Sequence, residues 1–243
     1  TPPLPVNRMN NSIFGNQKTG SIILCMRVID HTEFFKILGK AFAKLILAGL
    51  LIGLLHTHDL LVALILALHL LRKFYLMFRK KGNKNYVLVL GMVLTGIFGV
   101  LAEKWGIYYG YWEYHDLSGN RTFPYWLPFA WMLSFYFIYD LELKLLKVIH
   151  IDLLKYKIIF ALIIVAVFPT IGEMITIALG VWTYHWPYKI IGVPVYAIIA
   201  LVVLHSFVQL LLVIYCKQKQ IQDPIYTGLQ KTKPEKHLEE KSA

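Results

Sequence analysis

The chain has 243 residues, 57% of them hydrophobic and only 16% charged, with a mean hydropathy of +0.56 and a net charge of +11. A soluble domain carries about a quarter charged residues, so this balance excludes an ordinary water-soluble domain and points to lipid as the solvent. Nor does the positive charge indicate nucleic acid, because lysine and arginine sit in short runs between apolar segments, as membrane topology requires.

Residues 1–25 are polar, proline-bearing and aperiodic, and read as a disordered N-terminal tail; they lack the apolar core of a signal peptide. Six apolar stretches follow, near 38–56, 59–78, 86–103, 125–143, 158–179 and 190–215, each close to the roughly 20 residues that cross a bilayer as a helix. Lys44 interrupts the first, close enough to a helix end to snorkel. His56-Thr57-His58-Asp59 alone separates the first two, which predicts a tight helical hairpin. His56 and His58 beside Asp59 make only a weak metal pattern that nothing completes, so no metal is expected. Asp140 and Glu142, beside Lys144 and Lys147, read as a surface ion-pair cluster, and the lone His69 and His205 as satisfied core residues. Cys25 and Cys216 form no CxxC or metal-type spacing. Asn120-Arg121-Thr122 is a glycosylation sequon, meaningful only in a secretory-pathway host.

Basic residues alternate along these connections. Arg27, Lys36 and Lys40 precede the first stretch, Arg79, Lys80, Lys81 and Lys84 follow the second, Lys144, Lys147, Lys155 and Lys157 follow the fourth, and Lys217 and Lys219 follow the last. The remaining connections are poor in them. The expectation is an all-α, polytopic membrane bundle of about six transmembrane helices with both termini cytoplasmic. Residues 26–216 would form one transmembrane domain, and 217–243 a charged, disordered cytoplasmic tail.

A repeat lies within this pattern. Residues 103–115 read EKWGIYYGYWEYH and residues 173–185 read EMITIALGVWTYH, an offset of 70 that matches Glu103/Glu173, Ile107/Ile177, Gly110/Gly180, Trp112/Trp182, Tyr114/Tyr184 and His115/His185. Phe98 and Phe168 extend it upstream, and Leu127-Pro128 and Val193-Pro194 open the following spans. Each copy is the outer end of one span, an interfacial turn and the start of the next. Both copies start from the same side, so parallel repeats of helical hairpins are expected, related by an axis near the membrane normal. Pro169 and Gly172 break the helix before Glu173, which is tolerated at membrane depth where protein or a cavity satisfies the backbone.

Intramembrane carboxyls are costly and usually functional, which singles out Glu103 and Glu173. A carboxyl held away from water stays protonated and can give or take a proton near neutral pH; the ordinary alternative is a structural hydrogen bond to an indole N–H. Trp112, Tyr114, Trp182 and Tyr184 sit at the depth of the aromatic belt, and His115 and His185 close the blocks beside water as hydrogen-bonding groups.

The segment Glu103-x2-Gly106-x3-Gly110-x-Trp112-x-Tyr114, with Glu173-x6-Gly180-x-Trp182-x-Tyr184 and Gly192-Val193-Pro194, resembles the membrane carotenoid-biosynthesis proteins of bacteria and archaea. These are the carotenoid 1,2-hydratase (bisanhydrobacterioruberin hydratase) type and the related membrane-bound lycopene cyclases. The similarity covers roughly residues 86–215. Where the cyclases carry paired glutamates after the second-motif proline, this chain has Val195 and Tyr196; where hydratases commonly have proline after the second glutamate, it has Met174. The resemblance implies acid–base addition of water to, or proton-initiated rearrangement of, a C=C bond of a lipid-soluble isoprenoid or carotenoid, in a bacterial or archaeal cytoplasmic membrane and without a cofactor. Hydration is expected over cyclisation or isomerisation. Glu173 would act as the acid and Glu103 as its partner base. Trp112, Tyr114, Trp182, Tyr184, His115 and His185 would bind the substrate, their rings stabilising cationic carbon. A small-molecule or proton-coupled carrier and a non-catalytic membrane binding protein are the alternative readings of the same repeat.

Overall fold

A computed structural model describes residues 31–79, 86–149, 151, 154–223 and 225–226. The expected tail 1–25 with Cys25, the basic residues Lys80, Lys81 and Lys84, and the segment 227–243 lie outside the described residues. Among those described are the helices α1 (His31–Leu55), α2 (Asp59–Arg79), α3 (Tyr86–Tyr108), α4 (Leu127–Ile149), α5 (Leu154–Ala178) and α6 (Val195–Lys219). Four short strands, β1 (Trp112–Tyr114), β2 (Trp182–Tyr184), β3 (Lys189–Ile190) and β4 (Val193–Pro194), pair as β1–β2 and β3–β4, both antiparallel.

Among the described residues, four helical stretches are long and apolar enough to cross a membrane: 31–79, 86–108, 155–178 and 195–219. The chain is therefore an integral membrane protein. The first stretch contains both α1 and α2, interrupted by a single turn of 3-10 helix at His56–His58. Helix α4 is not among the four; its second half carries Asp140, Glu142, Lys144 and Lys147.

Lipid outside the bundle is as apolar as leucine, so helices gain little by burying large aliphatics and associate instead through close packing of small residues. The distribution follows that rule. Leu47, Leu54, Leu64, Ile97, Ile163 and Val203 point outward, while α3 meets α4 along Gly91, Gly96 and Gly99. A Cβ at these three positions would lie 2.2, 2.7 and 2.4 Å from atoms of Phe135, Met132 and Trp131. Helix α1 approaches α5 similarly, through Gly49 against Ile175 and Gly53 against Leu179.

The hairpin expected at 56–59 is present as a reversal along α4. Lys44 of α1 lies 3.8 Å from Asp140, and Lys73 of α2 donates to the Tyr136 hydroxyl at 3.4 Å. At the turn itself, the buried Asp59 carboxylate accepts from both terminal nitrogens of Arg121 and from the backbone N–H of Tyr125 at 3.2 Å. The hydrogen bond it donates to Asp59 pushes the Arg121 guanidinium above its ordinary range. This cluster ties the α1–α2 turn to the loop before α4. Asp59→Asn leaves the guanidinium without its countercharge and is expected to cost about 2 kcal/mol, the scale of a charge-assisted hydrogen bond. A thermal unfolding midpoint in detergent equal to that of the unmodified protein would show the tie to be dispensable.

Two segments depart from expectation. The apolar run from 190 does not begin the last helix. Ile191 and Gly192 adopt φ of 49° and 86°, as the two central residues of a tight hairpin require, and Pro194 remains extended, so α6 starts at Val195. At the other end, the chain after α6 is not all tail. Gln220 caps the helix in the left-handed conformation, and the chain then folds back. The Asp223 carboxylate accepts from the Tyr139 hydroxyl at 2.8 Å and from the N–H groups of Ile225 and Tyr226. Tyr226 is buried with Leu70, Tyr139 and Cys216.

Candidate functional site

Helices α3 and α5 terminate in the same way at the 70-residue offset. Gly110 N–H donates to the Ile107 carbonyl and Tyr111 N–H to that of Gly106; Gly180 N–H donates to Ile177 and Val181 N–H to Thr176. Such paired bonds close a helix through one left-handed residue, and Gly110 and Gly180 supply it at φ of 69° and 77°. The caps turn the chain back over the helix ends, and each delivers its Trp-x-Tyr segment as a strand.

These strands pair with each other. Trp112 lies opposite Tyr184, Glu113 opposite Thr183 and Tyr114 opposite Trp182. The flanking bonds are reciprocal, from His115 N–H to the Val181 carbonyl at 3.0 Å and from His185 N–H to the Tyr111 carbonyl at 2.8 Å. Alternation along a strand puts Trp112, Tyr114, Trp182 and Tyr184 on one face of the ribbon. That face meets the bundle: the ring centroids of Trp112 and Tyr184 are 5.6 Å apart and those of Tyr114 and Trp182 5.5 Å. Glu113, on the opposite face, is exposed and lies 3.4 Å from His185 Nε2. His115 donates through Nδ1–H to the Gly180 carbonyl, 2.9 Å away. Both histidines therefore fasten the ribbon, and neither points at the carboxyls beneath it.

Glu103 and Glu173 each lie five residues before the end of their helix, under this ribbon. The indole of Trp112 donates to Glu103 Oε2 at 2.8 Å, with Tyr114 and Trp131 also directed at that carboxyl. The Tyr184 hydroxyl donates to Glu173 Oε2 at 2.9 Å. The two acids are near enough to interact electrostatically. They are partners in one polar cluster roofed by aromatic rings. The copies are not equivalent, however. Trp112 Nε1 is bonded to its glutamate, whereas Trp182 Nε1 is buried without a hydrogen-bond partner among the described residues. Glu103 thus faces several donors, and Glu173 a single hydroxyl.

Other residues belong to the roof although their sequence positions did not mark them. Trp186 packs tilted against Tyr111 at 4.7 Å and edge-on to Trp112 at 5.5 Å, and Trp126 packs edge-on to Tyr114. Trp131 on α4 reaches Glu103 because Gly99 lets α4 approach α3. Only the count of tryptophans in the apolar segments could have drawn attention to them.

Glu142, His205 and His69 differ from expectation. Asp140 makes the expected surface pair, with Lys144 at 2.6 Å. Glu142 does not: it is 1% exposed, accepts from Gln209 Nε2 at 3.4 Å and lies 4.0 Å from His205 Nε2. One helical step from the surface pair, α4 turns Glu142 toward α6. His205 is buried but its Nε2 has no hydrogen-bond partner among the described residues. His69 is exposed on α2 rather than part of a core. His56 bonds the Gly53 carbonyl and Asp116, and no group of three or more potential metal ligands occurs among the described residues. No protein-family model, curated protein or solved structure matches this chain.

Proposed function

We propose that the chain is a membrane enzyme of isoprenoid or carotenoid metabolism that adds water to a C=C bond of a lipid-soluble polyene. The observation that carries this reading is one arrangement. Two carboxyls on separate helices, each hydrogen-bonded by an aromatic residue of its own repeat, share a roof formed where those two repeats pair. Addition of water requires a proton donor, a stabilised carbocation and a base for the proton released. Glu173, bonded to a single neutral hydroxyl, is the donor to the alkene carbon. Glu103, surrounded by N–H and O–H donors, is the acceptor for the proton of the incoming water. The ring faces of Trp112, Tyr114, Trp182 and Tyr184 stabilise the positive carbon between those steps.

The same reading includes six spans, α1 to α6, with both termini cytoplasmic, and a parallel repeat that relates α3–α4 to α5–α6. The reciprocal bonds of the two caps and strands support it, as does the basic character of Lys144, Lys147, Lys217 and Lys219 at one end of α4 and α6. The sealed position of Glu142 favours the runner-up, a proton-coupled carrier, because buried acids also serve transport.

Expression in a lycopene-producing bacterium, with mass analysis of the pigments, tests the enzyme. A product heavier by one water is the expected result. Isomers of unchanged mass would replace hydration with cyclisation or isomerisation. Unaltered pigments together with substrate flux into proteoliposomes would favour the carrier.

A further inference from the structure

Between α3, α4, α5 and α6 lies a cavity of about 20 Å³, lined among others by Thr95, Trp131, Ser134, Val165, Pro169 and His205. A water molecule requires about 10–15 Å³ of such space and two to four polar partners, so the volume fits one water and little else. Its wall carries the partners. Thr95 is 3% exposed and His205 8% exposed, and both Thr95 Oγ1 and His205 Nε2 are buried with no hydrogen-bond partner among the described residues. Pro169 has no N–H, so the carbonyl four residues earlier, that of Val165, lacks its helical donor. Residues bearing two lone polar side chains and a freed carbonyl thus line one small space. An apolar occupant would leave all three unsatisfied, at about 1–3 kcal/mol for each.

We propose that this cavity is a built site for one water molecule, which donates to the Val165 carbonyl and is shared by Thr95 Oγ1 and His205 Nε2. The site lies beneath the two acids. Pro169 is one helical turn from Glu173, and Trp131 both lines the cavity and is directed at Glu103. On the inner side, His205 is 4.0 Å from the buried Glu142, itself bonded by Gln209. The site is independent of the enzymatic reading, but its role rests on it: Thr95 and Val165 lie eight residues, about 12 Å of helix rise, below Glu103 and Glu173, so this is a water held in reserve beneath the acids. After it moves up to the carboxyls and Glu173 gives its proton to one alkene carbon, the water oxygen forms the C–O bond to the other, and its surplus proton passes to Glu103.

X-ray hydroxyl-radical footprinting of the whole protein in nanodiscs, read by mass spectrometry, tests the site. Radiolysis of an internal water oxidises the side chains around it. Phe135 lines the cavity and is 1% exposed, whereas Phe168 is 3% exposed and does not line it. Oxidation of Phe135 without oxidation of Phe168 is expected, with loss of the Phe135 label in Thr95→Val and its retention in Thr95→Ser. Equal labelling of the two phenylalanines, or a Phe135 label untouched by Thr95→Val, would overturn the site. The role is read separately: a Thr95→Val protein that loses the label yet hydrates a polyene at the original rate retains the site and removes its part in the reaction. A labelled cavity in a protein that converts no polyene would retain the site and sink the hydratase reading alone.

Discussion

Glu173→Gln is expected to lower polyene hydration by roughly 10²–10⁴-fold, the usual contribution of a positioned general acid, without loosening the fold. The substitution keeps an oxygen to accept the Tyr184 hydroxyl now 2.9 Å from the carboxylate, so the ribbon stays fastened to α5, but an amide cannot deliver the proton. Glu103→Gln should reduce turnover on the same scale for the complementary reason: it preserves an acceptor for Trp112 and removes the base. Conversion per unit of membrane-inserted protein, measured in lycopene-producing cells, is the readout. Unfolding midpoints in detergent provide the control. Undiminished conversion by both variants would remove the acid–base assignment while leaving the membrane architecture intact.

Gly106→Ala should produce the second large effect, through packing rather than proton transfer. The indole of Trp112 lies directly on the α3 backbone at Gly106, and a Cβ there would come within 1.8 Å of the ring. A rigid ring wedged against a helix cannot yield by a small rotation, so Trp112 must leave its place and its bond to Glu103. Overpacking of this kind costs about 1–3 kcal/mol, and the loss of the bond should carry activity with it. Gly110→Ala is the informative comparison. Its φ of 69° disfavours any side chain, yet nothing lies within 4 Å of the added methyl, so the penalty is confined to the backbone, about 1–2 kcal/mol. Near-ultraviolet circular dichroism should change for Gly106→Ala and change far less for Gly110→Ala. The same aromatic spectrum and activity in Gly106→Ala as in the original chain would mean that the Trp112–Glu103 contact does not position the site.

Much of the helix layout was legible because lipid leaves the backbone no other partner than itself, so long apolar runs must be helical whatever surrounds them. Helices α2 and α3 begin within a residue of the apolar runs that predicted them. The matching letters at the 70-residue offset were legible too, and with them the two glutamates and four aromatic residues. What the repeat did not reveal is that its two copies pair with each other. The same letters would serve two separate interfacial turns; strand pairing was settled by α3 and α5 packing against the same two helices, α4 and α6, so that both caps meet.

Glu142 marks the boundary between the two kinds of information. Asp140, Glu142 and Lys144 form one continuous charged pattern in sequence, and local chemistry assigns all three to the surface. The partners that decide otherwise, His205 and Gln209, lie more than sixty positions away on α6. The hairpin at 189–194 is a parallel case, an apolar run whose length suits a helix but whose Ile191 and Gly192 are left-handed. By itself, then, the amino-acid order determined that this protein lives in lipid and where most of its helices run, since these depend on short stretches and their solvent. Which side chains face each other across the bundle, and the cavity they enclose, was decided by tertiary packing, because a contact between distant residues is a property of how helices approach and not of any one helix.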